Sequence, residues 1–192
     1  HHTQGPSILA AAVALKSCAQ DEPFKLVVYG TPAEETCASK VAMLERGCFQ
    51  DIDVALMMHP GPDTCVDNHS RALDEFEITF HGKSAHAAIA PELGRSAFDA
   101  VLLSFNGVEF LREHVRDDVR IHYTVLDAGG PANVVPEKAT AYFELRSFDG
   151  VYLTDVIERF KRIVQGAAMM TDTTVEINNL VHMESKIPVF TL

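Results

Sequence analysis

From about residue 71 the spacing of apolar residues changes period repeatedly in a fixed order, and that order leaves few folds open. Phe76, Ile78 and Phe80 alternate with Glu75, Glu77 and Thr79, the pattern of a strand buried on one face. Between Ser96 and His114, residues Ala97, Ala100, Val101, Phe105, Val108 and Leu111 recur at helical spacing. Ile121, Tyr123 and Val125 alternate again, as do Ala141, Phe143 and Leu145. A second amphipathic helix follows through Val156, Ile157, Phe160, Ile163, Val164 and Ala167, and Val175 and Ile177 mark a last strand. The order β-α-β-β-α-β predicts a split-βαβ, ferredoxin-like α+β unit over residues 71–181. Its sheet keeps one antiparallel face open to a partner.

The first 70 residues follow another pattern. Residues 7–17 are Ala-rich and predict a helix, and 24–30 predict a buried strand. Residues 38–46 predict a short helix stopped by Gly47, and 53–58 a second apolar strand. Strand, helix, strand makes a βαβ unit of an α/β domain, with parallel strands and a right-handed crossover. Parallel strands put the loops after Tyr29 and Met58 on one edge of the sheet, where chemistry gathers in open α/β folds. One loop is Gly30-Thr31-Pro32-Ala33-Glu34-Glu35 and the other opens with His59-Pro60. Adjacent carboxylates there can divide labour, one holding a metal and the other moving protons. His59 adds a nitrogen donor of the kind used at catalytic zinc, and His1, just before the first helix, is a further candidate ligand or a tag remnant. A plainer explanation covers the same loop: Thr31 as helix N-cap, Pro32 as first helical residue and Glu34 as the returning acid of a capping box.

Composition excludes several classes. The net charge is -11, with 4 basic and 9 acidic residues in 1–70 and 12 and 18 in the remainder. Neither part offers the basic face a nucleic-acid backbone needs, so no nucleic-acid partner is expected. The longest apolar run, Ile8–Leu15, is far short of a membrane span and lacks a basic leader, so neither membrane nor signal peptide is expected. Cys18, Cys37, Cys48 and Cys65 show no C-x-x-C spacing, which fits reduced thiols and a cytoplasmic protein.

Taken together, the motifs resemble one family. Gly30 to Glu35, Lys40 to Gly47 and Asp53 to His59-Pro60 look like the aminoacylase, carboxypeptidase G and hippurate-hydrolase family of amidohydrolases. The nearest branch of that family is similar to p-aminobenzoyl-glutamate hydrolase and Xaa-Arg dipeptidase. Gly82-Lys83-Ser84-Ala85-His86-Ala87-Ala88 resembles the family's lid-histidine motif. Gly129 to Pro136, containing Asn133, and Glu144-Leu145-Arg146 resemble its substrate-anchoring elements. The resemblance covers essentially the whole chain, in order.

What the resemblance implies is specific. Residues 1–70 would be the N-terminal part of a zinc-peptidase-type catalytic domain, 71–181 an inserted lid and dimerisation domain, and 182–192 the start of the return to the catalytic domain. Glu34 matches the general base, while Glu35, His59 and His1 match metal ligands. His86 matches the lid histidine that stabilises the tetrahedral intermediate, often across a dimer, and Asn133 and Arg146 match residues that hold the substrate carboxylate. Two divalent ions per site are implied, usually zinc, with manganese or cobalt as alternatives. The implied reaction is hydrolysis of the amide bond of a dipeptide or N-acyl amino acid by a homodimer joined through the lid. The family's upstream Cys ligand and final His are not in this sequence, so the chain alone is expected to be inactive. The alternative is a ferredoxin-like dimerisation module or an inactive scaffold, with residues 1–70 as a vestige.

Overall fold

The computed structural model describes residues 2–19, 21, 23–34, 39–65 and 69–186. The chain divides into two compact units, His1–Cys65 and Val66–Leu192.

In the second unit the alternating segments become strands β1 (Ala72–His81), β2 (Arg120–Asp127), β3 (Lys138–Ser147) and β4 (Thr174–Met183). They form one sheet in the order β2-β3-β1-β4, and every neighbouring pair is antiparallel. Two helices, here α3 (Ala97–Arg112) and α4 (Gly150–Thr171), complete the split-βαβ, ferredoxin-like arrangement. Strand alternation sends Phe76, Ile78 and Phe80 of β1 and Ala141, Phe143 and Leu145 of β3 into the core, all fully buried. Against them α3 sets Ala100, Val101 and Val108, and α4 sets Leu153, Val156, Phe160 and Val164. The Phe143 ring lies 4.9 Å from that of Phe160, and Phe105 stacks on Tyr123 at 4.2 Å. Each such buried side chain contributes about 1.5–3 kcal/mol, so this cluster supplies most of the driving force for the unit.

Local signals agree with the packing. The Ser96 hydroxyl accepts the Asp99 N–H at 3.1 Å, and the Asp149 carboxylate accepts the Tyr152 N–H at 3.0 Å, so each long helix has an N-cap. The last turn of α4 closes through Asp172, left-handed at φ +54°, with the Thr173 N–H reaching the Ala168 carbonyl at 3.0 Å.

The first unit contains α1 (Gln4–Cys18) and α2 (Ser39–Glu45). Gly47, at φ +75°, ends α2, as its position in the sequence predicts. The two expected strands are not formed: residues 24–30 and 53–58 run outside any strand. The physical reason is visible in their exposure. Leu26, Val27, Val28, Leu56, Met57 and Met58 all remain exposed, and no described residue of this unit is part of the buried core. Parallel strands carry apolar side chains on both faces and persist only where both faces are covered, which the described residues of this unit do not provide. Among the described residues, no helix is long and apolar enough to cross a membrane.

Candidate active site

His86 sits in the loop between β1 and α3, and Asn133 in the loop between β2 and β3. The structure brings them together. His86 and Val134 form an isolated antiparallel bridge, with the Ala87 N–H donating to the Asn133 carbonyl at 2.9 Å and the Val135 N–H to the Ala85 carbonyl at 2.8 Å. The base of this pair is tight: a side chain at Gly82 would meet the Arg95 carbonyl oxygen at 2.0 Å, so only glycine allows the two backbones to approach. Both His86 and Asn133 are exposed. The Ala88 N–H donates to His86 Nδ1 at 3.2 Å. An amide N–H can only donate, so Nδ1 holds the lone pair and the neutral ring carries its proton on Nε2. His86 therefore presents an N–H donor on its outer nitrogen.

Arg146 lies elsewhere. The loop pair joins the sheet at the Lys138 end of β3, where the Gly82 N–H donates to the Glu137 carbonyl at 2.8 Å. Arg146 stands near the opposite end of the same strand, at about 3.4 Å per residue roughly 27 Å away. One carboxylate cannot touch Asn133 and Arg146 of the same chain. Around Arg146 the open face of the sheet is ionic. Its Nε donates to Glu144 Oε1 at 2.6 Å, and in register Glu144 stands between His122 on β2 and Glu75 on β1. Burial, followed by the hydrogen bond to Glu75, pushes the Tyr142 phenol well above its ordinary value.

In the first unit, Ala33 takes φ +57°, in the left-handed region, immediately before Glu34. That conformation removes the capping-box explanation, because residue 33 cannot belong to the first turn of a right-handed helix. His59 Nδ1 donates to the Pro60 carbonyl at 2.8 Å, which makes Nε2 the nitrogen with ligand chemistry. Candidate ligands His1 and Glu35 lie outside the described residues, as does Cys37. Among the described residues, no group of three His, Cys, Asp or Glu side chains is arranged to hold a metal ion. Glu34 and His59 have the donor chemistry such an ion requires, and Cys18 and Cys48 are exposed thiols.

Sequence reasoning missed one polar cluster. The buried Asp74 carboxylate accepts from Asn179 Nδ2 at 2.8 Å and faces His182 Nδ1 at 3.0 Å, while His182 Nε2 lies 3.3 Å from Glu184. The hydrogen bond to Asp74 raises the His182 pKa above its ordinary value, although burial pulls the other way. The one available signal was Asp74 itself, an acid at a position whose alternation points into the core.

This fold and loop pair define a lid-type dimerisation unit of a peptidase. Residues 68–169 match the family model described as the peptidase dimerisation domain, and the chain belongs to that family. Over 181 residues it is 37% identical to one of the two kinds of chain in the p-aminobenzoyl-glutamate hydrolase of Escherichia coli (strain K12), covering 92% of this chain and 37% of that one. It is 29% identical to the Xaa-Arg dipeptidase of Mus musculus, covering 91% of this chain and 40% of the relative. The crystal structure of an aminobenzoyl-glutamate utilization protein from Klebsiella pneumoniae superposes with TM-score 0.65 at 26% identity, covering 78% of this chain and 39% of that one. The chain thus spans about two fifths of the length of these relatives.

Proposed function

We propose that this chain forms the lid and part of the metal-binding domain of a cytoplasmic amidohydrolase that cleaves dipeptides or N-acyl amino acids. The observation that carries this reading is His86, with Nδ1 engaged by the Ala88 N–H and Nε2–H directed outward beside Asn133. A pre-set N–H donor is what a developing oxyanion needs, and it stabilises the transition state more than the ground state. Asn133 supplies a further polar contact for substrate from the loop zipped to His86. Glu34 takes a proton from the attacking water and delivers it to the leaving amine. Divalent metal, held by Glu35, His59 and His1, supplies Lewis acidity and lowers the pKa of water. Zinc is the metal we favour, two ions per site.

The separation of Arg146 from Asn133 favours an active site shared between two copies. Edge strand β2 carries the exposed apolar residues Val125 and Leu126, and β2 is free to pair with the β2 of a second copy. Antiparallel pairing across a two-fold axis would bring the Arg146 end of one sheet toward the His86 end of the other.

Complementation in the full-length, metal-loaded protein tests this directly. His86→Ala should lower kcat by about 10²–10³-fold, as loss of one oxyanion donor does. Arg146→Ala should raise KM. Mixed dimers of the two variants should regain activity, because one of their two sites would be intact. Hydrolysis unchanged in His86→Ala would refute the enzyme reading, and mixed dimers without activity would refute the shared site.

A further inference from the structure

We propose that Glu144 is a positioning residue for Arg146, holding the guanidinium so that its two Nη groups face the substrate carboxylate. The inference rests on the reading of Arg146 as the carboxylate anchor. Glu144 and Arg146 are two residues apart on β3 and so share a face of the sheet. The contact is short, 2.6 Å from Nε to Oε1, and the Glu144 side chain is 19% exposed against 43% for Arg146. The acid is therefore the fixed partner and the cation the outward one.

Neighbouring charges keep that pairing selective. Glu75 lies opposite Glu144 in register, a like-charge placement that disfavours both carboxylates unless each has its own donor. Tyr142 donates to Glu75, which leaves Glu144 to Arg146. Arg120 stands opposite Arg146 on β2, but its Nη1 is taken by the carbonyls of Asp117 and Val119. With Nε engaged, the guanidinium edge that remains for bidentate contact is the one formed by Nη1 and Nη2. A long, mobile cation thereby becomes a pre-oriented clamp, and the benefit appears as substrate binding rather than turnover.

The test uses the full-length, metal-loaded protein, with a dipeptide and the same dipeptide as its C-terminal amide as probes. Glu144→Ala should raise KM for the free dipeptide about tenfold with kcat unchanged, the loss expected of one charge-assisted hydrogen bond. Glu144→Gln keeps an oxygen that accepts from Nε and should restore most of that loss. For the amide, which offers no carboxylate, Glu144→Ala should change nothing. Adding Glu144→Ala to Arg146→Ala should cost nothing more, since the acid acts through the arginine. Should the alanine variant not fold, Glu144→Thr, a strand former too short to reach Nε, takes its place. The proposal is overturned if Arg146→Ala raises KM while Glu144→Ala and Glu144→Thr do not, and equally if dipeptide and amide suffer alike. If Arg146→Ala leaves KM unchanged, the anchor reading falls first and this inference with it.

Discussion

His182 Nδ1 lies 3.0 Å from the Asp74 carboxylate, an ion pair in which the acid is sealed from solvent and the imidazole remains exposed. It ties the end of β4 to the start of β1. Close by, the Lys186 N–H donates to Ser70 Oγ at 2.7 Å, so the chain enters and leaves this unit side by side.

A pH dependence follows. The folded pKa of His182 is raised above its ordinary 6.5, chiefly by the Asp74 hydrogen bond. A raised folded pKa means that the stabilisation is fully present below the unfolded value and is lost as pH rises through the folded one. The imidazole is more than half exposed, so the pair is worth no more than an exposed ion pair. Melting temperatures of wild type and His182→Gln should differ by roughly 2–4 °C at pH 6 and converge above pH 8. A constant gap across that range would mean that charge at His182 contributes nothing.

Helix packing gives a second expectation. A Cβ at Gly107 would lie 2.4 Å from Ile163 Cγ2, where α3 passes closest to α4. Gly107→Val should destabilise the unit by about 1–3 kcal/mol through overpacking, despite the better helix propensity of valine over glycine. Phe143→Ala, which empties the aromatic centre of the core, should cost about 3–5 kcal/mol. Urea unfolding would measure both, and a Gly107→Val variant as stable as wild type would show that the helices can part without penalty.

The second unit was legible because its signals are local. Phe76, Ile78 and Phe80 alternate whatever happens elsewhere, and Ser96 caps the helix that begins one residue later. The Asp74–His182 pair was illegible because its members lie far apart in sequence and meet only once β1 and β4 pair. Distance misled in the other direction for Asn133 and Arg146: close in sequence, they stand at opposite ends of β3. Residues 24–30 have the composition of a buried strand, but composition records what a segment needs around it, not whether that cover is present. The Thr31-Pro32-Ala33-Glu34 stretch was ambiguous until the left-handed φ of Ala33 removed the helix-start alternative.

Glu34 and Glu35 are predicted to fail differently in the full-length protein. Glu34→Gln should keep fold and metal content while reducing kcat about 10²–10⁴-fold, the loss expected when a positioned general base is removed. Glu35→Gln should instead lower the metal content. Parallel metal analysis and steady-state kinetics separate the two. An unchanged rate in Glu34→Gln, with only a lower melting temperature, would return Glu34 to a structural role.

The 192-residue chain itself should exchange its amides in two regimes. Every fully buried apolar side chain among the described residues falls between Ala72 and Ala168, and the sheet ladders run from β1 to β4. Amides there open only when that core opens, so their protection should approach the global stability of the unit. The described residues of His1–Cys65 have two helices without a buried residue, and exposed apolar side chains at Leu9, Val13, Leu56 and Met57. Helices of 15 and 7 residues without such packing are marginal in water. Hydrogen exchange should therefore show protected amides concentrated in residues 74–178 and fast exchange through 1–66. The same chain should sediment as a dimer and show no metal-dependent amidase activity. Strong protection in residues 24–30 and 53–58 would mean that these segments find their cover within the chain, and robust dipeptide hydrolysis would mean that its metal site is complete without further residues.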